Sequence, residues 1–587
     1  MKNNSIFVLI LCSLIFTLNS CKDFLNQPVL DNFTDDEYWN NEDQCRTFMY
    51  SFYPSVFAGY GSGVSHGPFL MGEGSNDDYA SPKEQTDFSN SIPETNDSWS
   101  FSSIRRANYA LSRIPSIGED DATIAHWMGV ARFFRAYYYA NLVFTFGDVP
   151  WYDRVPQVST SKEDLDYLYK DRDRRTYVDS MIMADLQYAM DHVKPADGAL
   201  QVNKYVVAAM ASRLMLREGT YLRYHNIDLN VAQQCLQMAK DAADLVIKSG
   251  KYSLAADYKS LFISNDLSSN PEVIMYRHYE DGLLSHSTLT YSFTEGQNGL
   301  SKSLAMAFLT KDGFPMSQKH DMFWVPNTLE KFFGDRDPRM TMVMRDKFYF
   351  KGSNEAPIGY SLSGLSWSKF MDDAKATAPD ATMSGSKNVT DAPCIRYAEI
   401  LLNYTEAAYE LSELGGGTFT NEELKPLNEV RLRAGIPTLE VSGTTALVGG
   451  VEIKDEDRLA IENQTGETPV TPILWEIRRE RRVELCLEGF RAGDLKRWKR
   501  MDYLWNGCNP DIRYGAYVVL DNYTSEQIDQ GEIVLEDSLM TEGWTLRNTL
   551  RQRNRPTEKN YISPVPSGQI TLYESKGYTL TQTKEWQ

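Results

Sequence analysis

The stretch ARFFRAYYYANLVFTFGDVP, residues 131–150, sets the reading of the chain. Phe133, Tyr137, Ala140 and Phe144 recur at i, i+4, i+7 and i+11, the stripe of an amphipathic helix, and Gly147 and Pro150 end it. Outward from it the same spacing returns three times. Ile182, Leu186, Ala189 and Val193 precede Pro195; Cys235, Ala239, Ala242 and Val246 precede Gly250; Ile400, Tyr404, Ala407 and Leu411 precede Gly415-Gly416-Gly417. Further helices are predicted over 204–218, 425–434 and 473–488. A helix start is predicted at 31–39, with Thr34 or Asp35 as N-cap before Glu37-Tyr38-Trp39.

The fold class that follows is mainly α. Paired helices suggest a tetratricopeptide-like base, although no 34-residue repeat is visible in the sequence. The expected organisation is a helical part over 31–250, an irregular segment over 251–394, helices again over 395–500, and an irregular tail to 587. Within the irregular segment Gly, Ser, Pro and Asn punctuate short stretches, which reads as a loop-rich face on a rigid support.

Composition narrows the function. The chain has 587 residues, enough to bury a core without disulfide or metal staples. Its 80 Asp+Glu against 60 Lys+Arg give a formal charge of −20, which repels phosphate backbones and argues against nucleic acid. The aromatic content, 34 Tyr, 26 Phe and 11 Trp, is generous and can either fill a core or grip a flat ligand. Seven cysteines are scattered with no zinc spacing; Cys235 and Cys486 fall in helical patterns and read as buried thiols.

At the N-terminus, residues 1–20 read as a signal peptide. Lys2 precedes the uncharged run Ile6–Leu18, 13 residues long and too short to span a bilayer. The run leads into Leu18-Asn19-Ser20-Cys21, which resembles a bacterial lipobox with Cys21 as the lipidated residue. Residues 21–30 would then form a tether, and acyl chains on Cys21 would hold the rest at a membrane.

The densest chemistry is the segment Glu476–Glu488. Glu476, Glu480, Glu484 and Glu488 lie at successive i+4 positions among Arg478, Arg479, Arg481 and Arg482. Such a pattern is either a catalytic carboxylate pair or a helix laced by ion pairs. Carboxylates crowded by arginine are held ionised and make poor general acids, so the structural role is expected. Asp335–Arg339 reads as a turn, and Lys496-Arg497-Trp498-Lys499-Arg500 as a helix end. No metal or cofactor is predicted: there are seven His without H-E-x-x-H, and no phosphate loop, dinucleotide fingerprint or nucleophile elbow appears.

Several signatures then coincide in order. They include Ile104-Arg105-Arg106-Ala107-Asn108, Phe146-Gly147-Asp148-Val149-Pro150, Asn270-Pro271-Glu272-Val273-Ile274 and Arg336-Asp337-Pro338-Arg339. Arg396-Tyr397-Ala398-Glu399-Ile400, Asn403-Tyr404-Thr405-Glu406-Ala407, Glu476–Arg482 and Asp494-Leu495-Lys496-Arg497-Trp498 follow. In this succession the chain resembles the SusD/RagB family. The resemblance implies a surface-exposed outer-membrane lipoprotein of a Bacteroidetes-type bacterium, non-catalytic, with four tetratricopeptide-like helix pairs under a loop-rich face. It further implies capture of oligosaccharide fragments for a SusC-like TonB-dependent transporter. A peptide-capturing lid of the RagB kind and a surface glycoside hydrolase are the alternatives.

Sugar rings pack their C–H faces on Trp and Tyr while their hydroxyls need polar partners. Two loop regions offer both. Tyr60, His66, Asn76, Asp77, Asp78, Tyr79 and Trp99 lie in the first; Tyr291, Phe293, Asn298 and Trp324 lie in the second. The expected ligand contacts are Tyr60, Asp77, Asp78, Tyr79, Trp99, Tyr291 and Trp324.

Overall fold

The computed structural model describes residues 38–587 apart from 70–75, 81–87, 89, 158–159, 199, 295–298, 321–323, 351–360, 378–379, 530–532 and 547–553. The expected signal peptide, Cys21 and tether lie outside the described residues, as does the helix start expected before Tyr38.

Helix boundaries follow local chemistry. Helix α1 (Glu42–Tyr50) is capped by the Asn41 side chain, and α2 spans Ser102–Arg113. In α3 (Asp121–Phe146) the Asp120 carboxylate accepts from Thr123 N–H, and the chain leaves through Gly147 at φ 74°. Then come α4 (Arg175–His192), α5 (Lys204–Tyr224), capped by Asn203, and α6 (Leu229–Lys248), capped by Asp228. The second helical set is α7 (Tyr397–Ser412), α8 (Lys425–Ala434), α9 (Pro472–Glu484) and α10 (Arg491–Arg497).

The helices pack through their small-residue and aliphatic faces. Cys235, Ala239, Ala242 and Val246 of α6 are all buried, as expected, between α5 and α7. Helix α3 departs from a simple stripe. Phe133 and Ala140 are buried, but so are Phe134, Tyr139, Val143 and Phe146, while Tyr137 and Phe144 are half-buried. The reason is that α3 is enclosed by α2, α4 and α5 and buries most of its circumference.

Two sequence signatures close this base. Arg135 donates to both oxygens of Asp185, 2.7 and 2.8 Å, and to Asn108 Oδ1 at 2.8 Å; Asn108 Nδ2 donates to Tyr152 O at 2.7 Å. On the far side Arg175 pairs with Glu218, its Nη2 2.8 Å from the carboxylate.

From 251 to 391 the described structure is irregular, with helices of at most seven residues. Strand β1 (Val273–Arg277) pairs antiparallel with β2 (Ala392–Arg396), and β3 (Tyr514–Val519) with β4 (Glu542–Leu546). Beneath these loops lies a second core, rich in rings: Tyr60, Tyr258, Phe262, Tyr279, Phe308 and Phe332 are among its buried members. All five cysteines among the described residues are free, and Cys235 and Cys486 are buried as expected.

One buried group works against the fold. Asp179 of α4 has no exposed surface; burial, then the neighbouring Glu218, pushes its pKa well above the usual carboxylate range. The native state therefore retains a proton that the unfolded chain releases, and stability falls as pH rises above the unfolded value of 3.8. Asp179→Asn keeps the shape and removes the titrating group. Thermal melts at pH 7 should show the variant stabilised by about 1–3 kcal/mol, with the gain shrinking toward pH 4.

Candidate functional site

The glutamates of the arginine-rich segment are structural. Glu484 accepts from Arg396 at 2.6 Å, Arg339 at 2.9 Å and also Arg433. Glu480 accepts from Arg339 at 2.6 Å and Arg431 at 3.3 Å, and Glu488 from Arg396 at 2.7 and 2.8 Å and Lys369 at 2.7 Å. For these three the partners come from other elements rather than from i,i+4 neighbours, a difference from the expected pattern, while Glu476 pairs within the helix with Arg479 at 3.1 Å. Helix α9 also stops at Glu484, because Leu487 and Gly489 take positive φ (64° and 83°); Glu488 thus stands on a turn.

This arrangement is unsuited to general acid catalysis. Burial would raise the Glu484 pKa, but Arg433, Arg396 and Arg339 hold it well below the ordinary range. Burial likewise opposes Arg396 and Lys369 at Glu488, and the cations win. Glu476 departs from the expectation: burial raises its pKa against the pull of Arg479. With 1% of its surface exposed it has no route to a substrate.

Four of the seven expected ligand contacts are buried. Asp77 receives Arg491 at 2.7 and 2.8 Å, and Asp78 receives Arg482 at 2.8 Å, so these carboxylates clip their loop to α9 and α10. Tyr60 is 1% exposed and packs on Phe69 and His286. Tyr79 pairs with Leu300 in a two-residue ladder and sets its ring edge-on to Trp367 at 5.7 Å. Long-range arginines hold the two carboxylates, and the second core encloses Tyr60 and Tyr79.

The other three stand in different surroundings. Tyr291 is half-buried, edge-on to His66 at 4.6 Å and 5.7 Å from Trp367. Trp324, half-buried, stacks on exposed His320 at 4.5 Å and 17°. Trp99, half-buried, meets Phe146 at 4.9 Å and 90°. Asn298 and the Phe293 side chain lie outside the described residues. Reasoning from sequence missed His320 and Trp367; the i, i+4 spacing of His320 and Trp324 was the available signal for the first.

One acidic cluster with a histidine has its groups engaged within the protein. Glu42, His126 and Asp197 cluster within 4.8 Å. His126 Nδ1 accepts from Lys194 N–H at 3.1 Å, so the proton of the neutral ring sits on Nε2, facing Asp197 at 3.4 Å, and no nitrogen lone pair is free. Arg46 and Lys194 supply the positive charge. In the Asp335–Arg339 turn, Asp337 accepts from Arg339 N–H at 2.9 Å and pairs with its guanidinium. The basic run 496–500 is likewise spent internally: Arg497 pairs with Glu406 and Asp494, and Arg500 with Glu462.

Comparison with known proteins agrees with this architecture. Residues 271–586 match the model of the SusD family, and residues 73–216 match a second one described as starch-binding, associating with the outer membrane. The chain belongs to the SusD family. It is 24% identical to the SusD-like protein P2 of Formosa agariphila over 436 residues, 71% of this chain and 74% of that one. A SusD-like carbohydrate-binding protein of Bacteroides fragilis superposes with a TM-score of 0.63 at 19% identity, covering 91% of this chain and 99% of the other. The surface glycan-binding protein A of Bacteroides fluxus gives 0.57 at 16% identity, covering 93% and 99%.

Arg396 touches Glu272, Glu484 and Glu488 at once. Arg396→Met should destabilise the protein by about 3–5 kcal/mol in denaturant titrations, because it strands buried carboxylates. Glu484, its pKa lowered from 4.5, contributes stability that is present above that pH and lost below it. Glu484→Gln should accordingly flatten the acid limb of the pH–stability curve.

Proposed function

We propose that this protein is a non-catalytic glycan-binding lipoprotein. It captures oligosaccharide or polysaccharide fragments at the outer-membrane surface, anchored through Cys21, and passes them to a SusC-like TonB-dependent transporter. The observation that carries the reading is the His320–Trp324 ring stack, half open to solvent in the irregular part of a SusD-family fold. Trp324 presents a flat apolar surface suited to a pyranose face, and Tyr291 with His66 presents a second.

Two further observations support it. The carboxylates of the arginine-rich segment are buried, which favours binding over hydrolysis. The lipobox-like Leu18–Cys21 supports export and lipid anchoring, and two proteins of similar fold are a carbohydrate-binding protein and a surface glycan-binding protein. Ligand capture would favour a closed lid over the transporter only to the extent that the ligand prefers that state.

Calorimetry against a panel of plant and host glycans should show saturable binding to at least one. Trp324→Ala and Tyr291→Ala should each weaken it roughly five-fold, the loss of about 1 kcal/mol of ring contact, with melting temperatures checked in parallel. Chromatography of the bound glycan after long incubation should show no shortening. Silence across the panel with binding to peptides would establish the peptide-capturing alternative, and shortened products the hydrolase.

A further inference from the structure

A groove of about 380 Å³ lies away from Tyr291 and Trp324, walled by Trp99, Phe101, Tyr152, Tyr169 and Tyr573. That volume falls in the range of small-molecule sites. Three segments distant in sequence build it: the entry to α2, the loop after α3, and the C-terminal helix Ser567–Ser575.

The walls are pinned before any ligand arrives. Tyr169 stacks on Tyr578 at 5.2 Å and stands edge-on to Tyr573 at 5.3 Å, and the Tyr578 hydroxyl donates to Asp166 at 2.9 Å. Phe101 meets Tyr152 edge-on at 5.6 Å. The C-terminal helix is seated by Gly568 N–H on Glu94 O at 3.0 Å, where a Cβ would come within 2.8 Å of that oxygen.

The polar inventory selects the ligand. Asn108 is spent at both ends, on Tyr152 O and Arg135, and the Tyr152 hydroxyl donates to Leu168 O. The other polar groups are the hydroxyls of Ser102, Tyr169 and Tyr573, the Gln569 amide and, at the exposed rim, the Arg105 guanidinium, which has no ion-pair or side-chain hydrogen-bond partner among the described residues. Its neighbour Arg106 is already engaged, over the Phe52 ring and on Ser51. A sugar would strand most of its hydroxyls against these rings. A flat ring carrying one carboxylate would not: the ring enters between the aromatic walls and the anion meets Arg105.

We propose that this groove is a second ligand site, independent of the glycan-binding reading, and that it takes a small aryl carboxylate. The experiment is calorimetry on the full mature chain with trans-cinnamate, its neutral amide, and glucose and galactose. Cinnamate should bind saturably, and Arg105→Gln should weaken it about five-fold while leaving the weaker amide unchanged, as expected for a partly solvated ion pair. Leu572→Trp, at a 42% exposed position on the groove wall, should fill the space and abolish both without lowering the melting temperature. Trp324→Ala should leave both intact. The proposal is overturned if cinnamate gives no saturable heat up to ~10 mM, weaker than any affinity a built site of this size should show. Binding that survives Leu572→Trp, or a monosaccharide that binds in its place with the same sensitivity to Leu572→Trp, overturns it equally.

Discussion

Glu484 is held by arginines from three separate parts of the chain: Arg339 on a short helix, Arg396 at the end of β2, and Arg433 on α8. Around it Glu480, Glu488, Glu272 and Lys369 complete a network in which each of these four pairs with an opposite charge at 2.6–2.8 Å and almost none is exposed. Taking so many ions out of water costs more than any single pair returns, so the arrangement stands only while all partners are present. That is a constraint on geometry more than a source of stability. It fixes α9, α8, the β1–β2 pair and the irregular segment in one relation.

The aromatic content has a similar explanation. Loops without regular ladders still need a core, and rings cover much area with few rotatable bonds. Tyr60, Tyr258, Phe262 and Tyr279 supply that core under the irregular face, locked by hydrogen bonds from Tyr258 to Glu484 O at 2.9 Å and from Tyr279 to Gly61 O at 2.9 Å. The ring core thus rests directly on the ion network. Rings left at least partly at the surface include those of the irregular face and of the groove beside the C-terminal helix.

Much of the fold was legible in the sequence because helices are local. Residues 425–434 form a helix over the expected span, closed by Gly435 in the left-handed region, and the α6 stripe is buried at each expected position. The ordered motifs carried the family in the same way. Where reading stopped short, as in the enclosure of α3, the deciding neighbour lay elsewhere in the chain.

The expected ligand residues show that boundary most clearly. Asp77 and Asp78 look like loop carboxylates available to a sugar, yet Arg482 lies 404 residues from Asp78 and reaches it at 2.8 Å. Tyr79 looks like a loop ring, yet Trp367 waits beneath it. The sequence by itself determined the helical class, several of the helix ends and the family, since periodicity, caps and ordered motifs are properties of neighbouring residues. Only the tertiary structure decided which acids are spent on arginine and which rings stay partly exposed, because burial and ion pairing are settled between residues that meet only when the chain has folded.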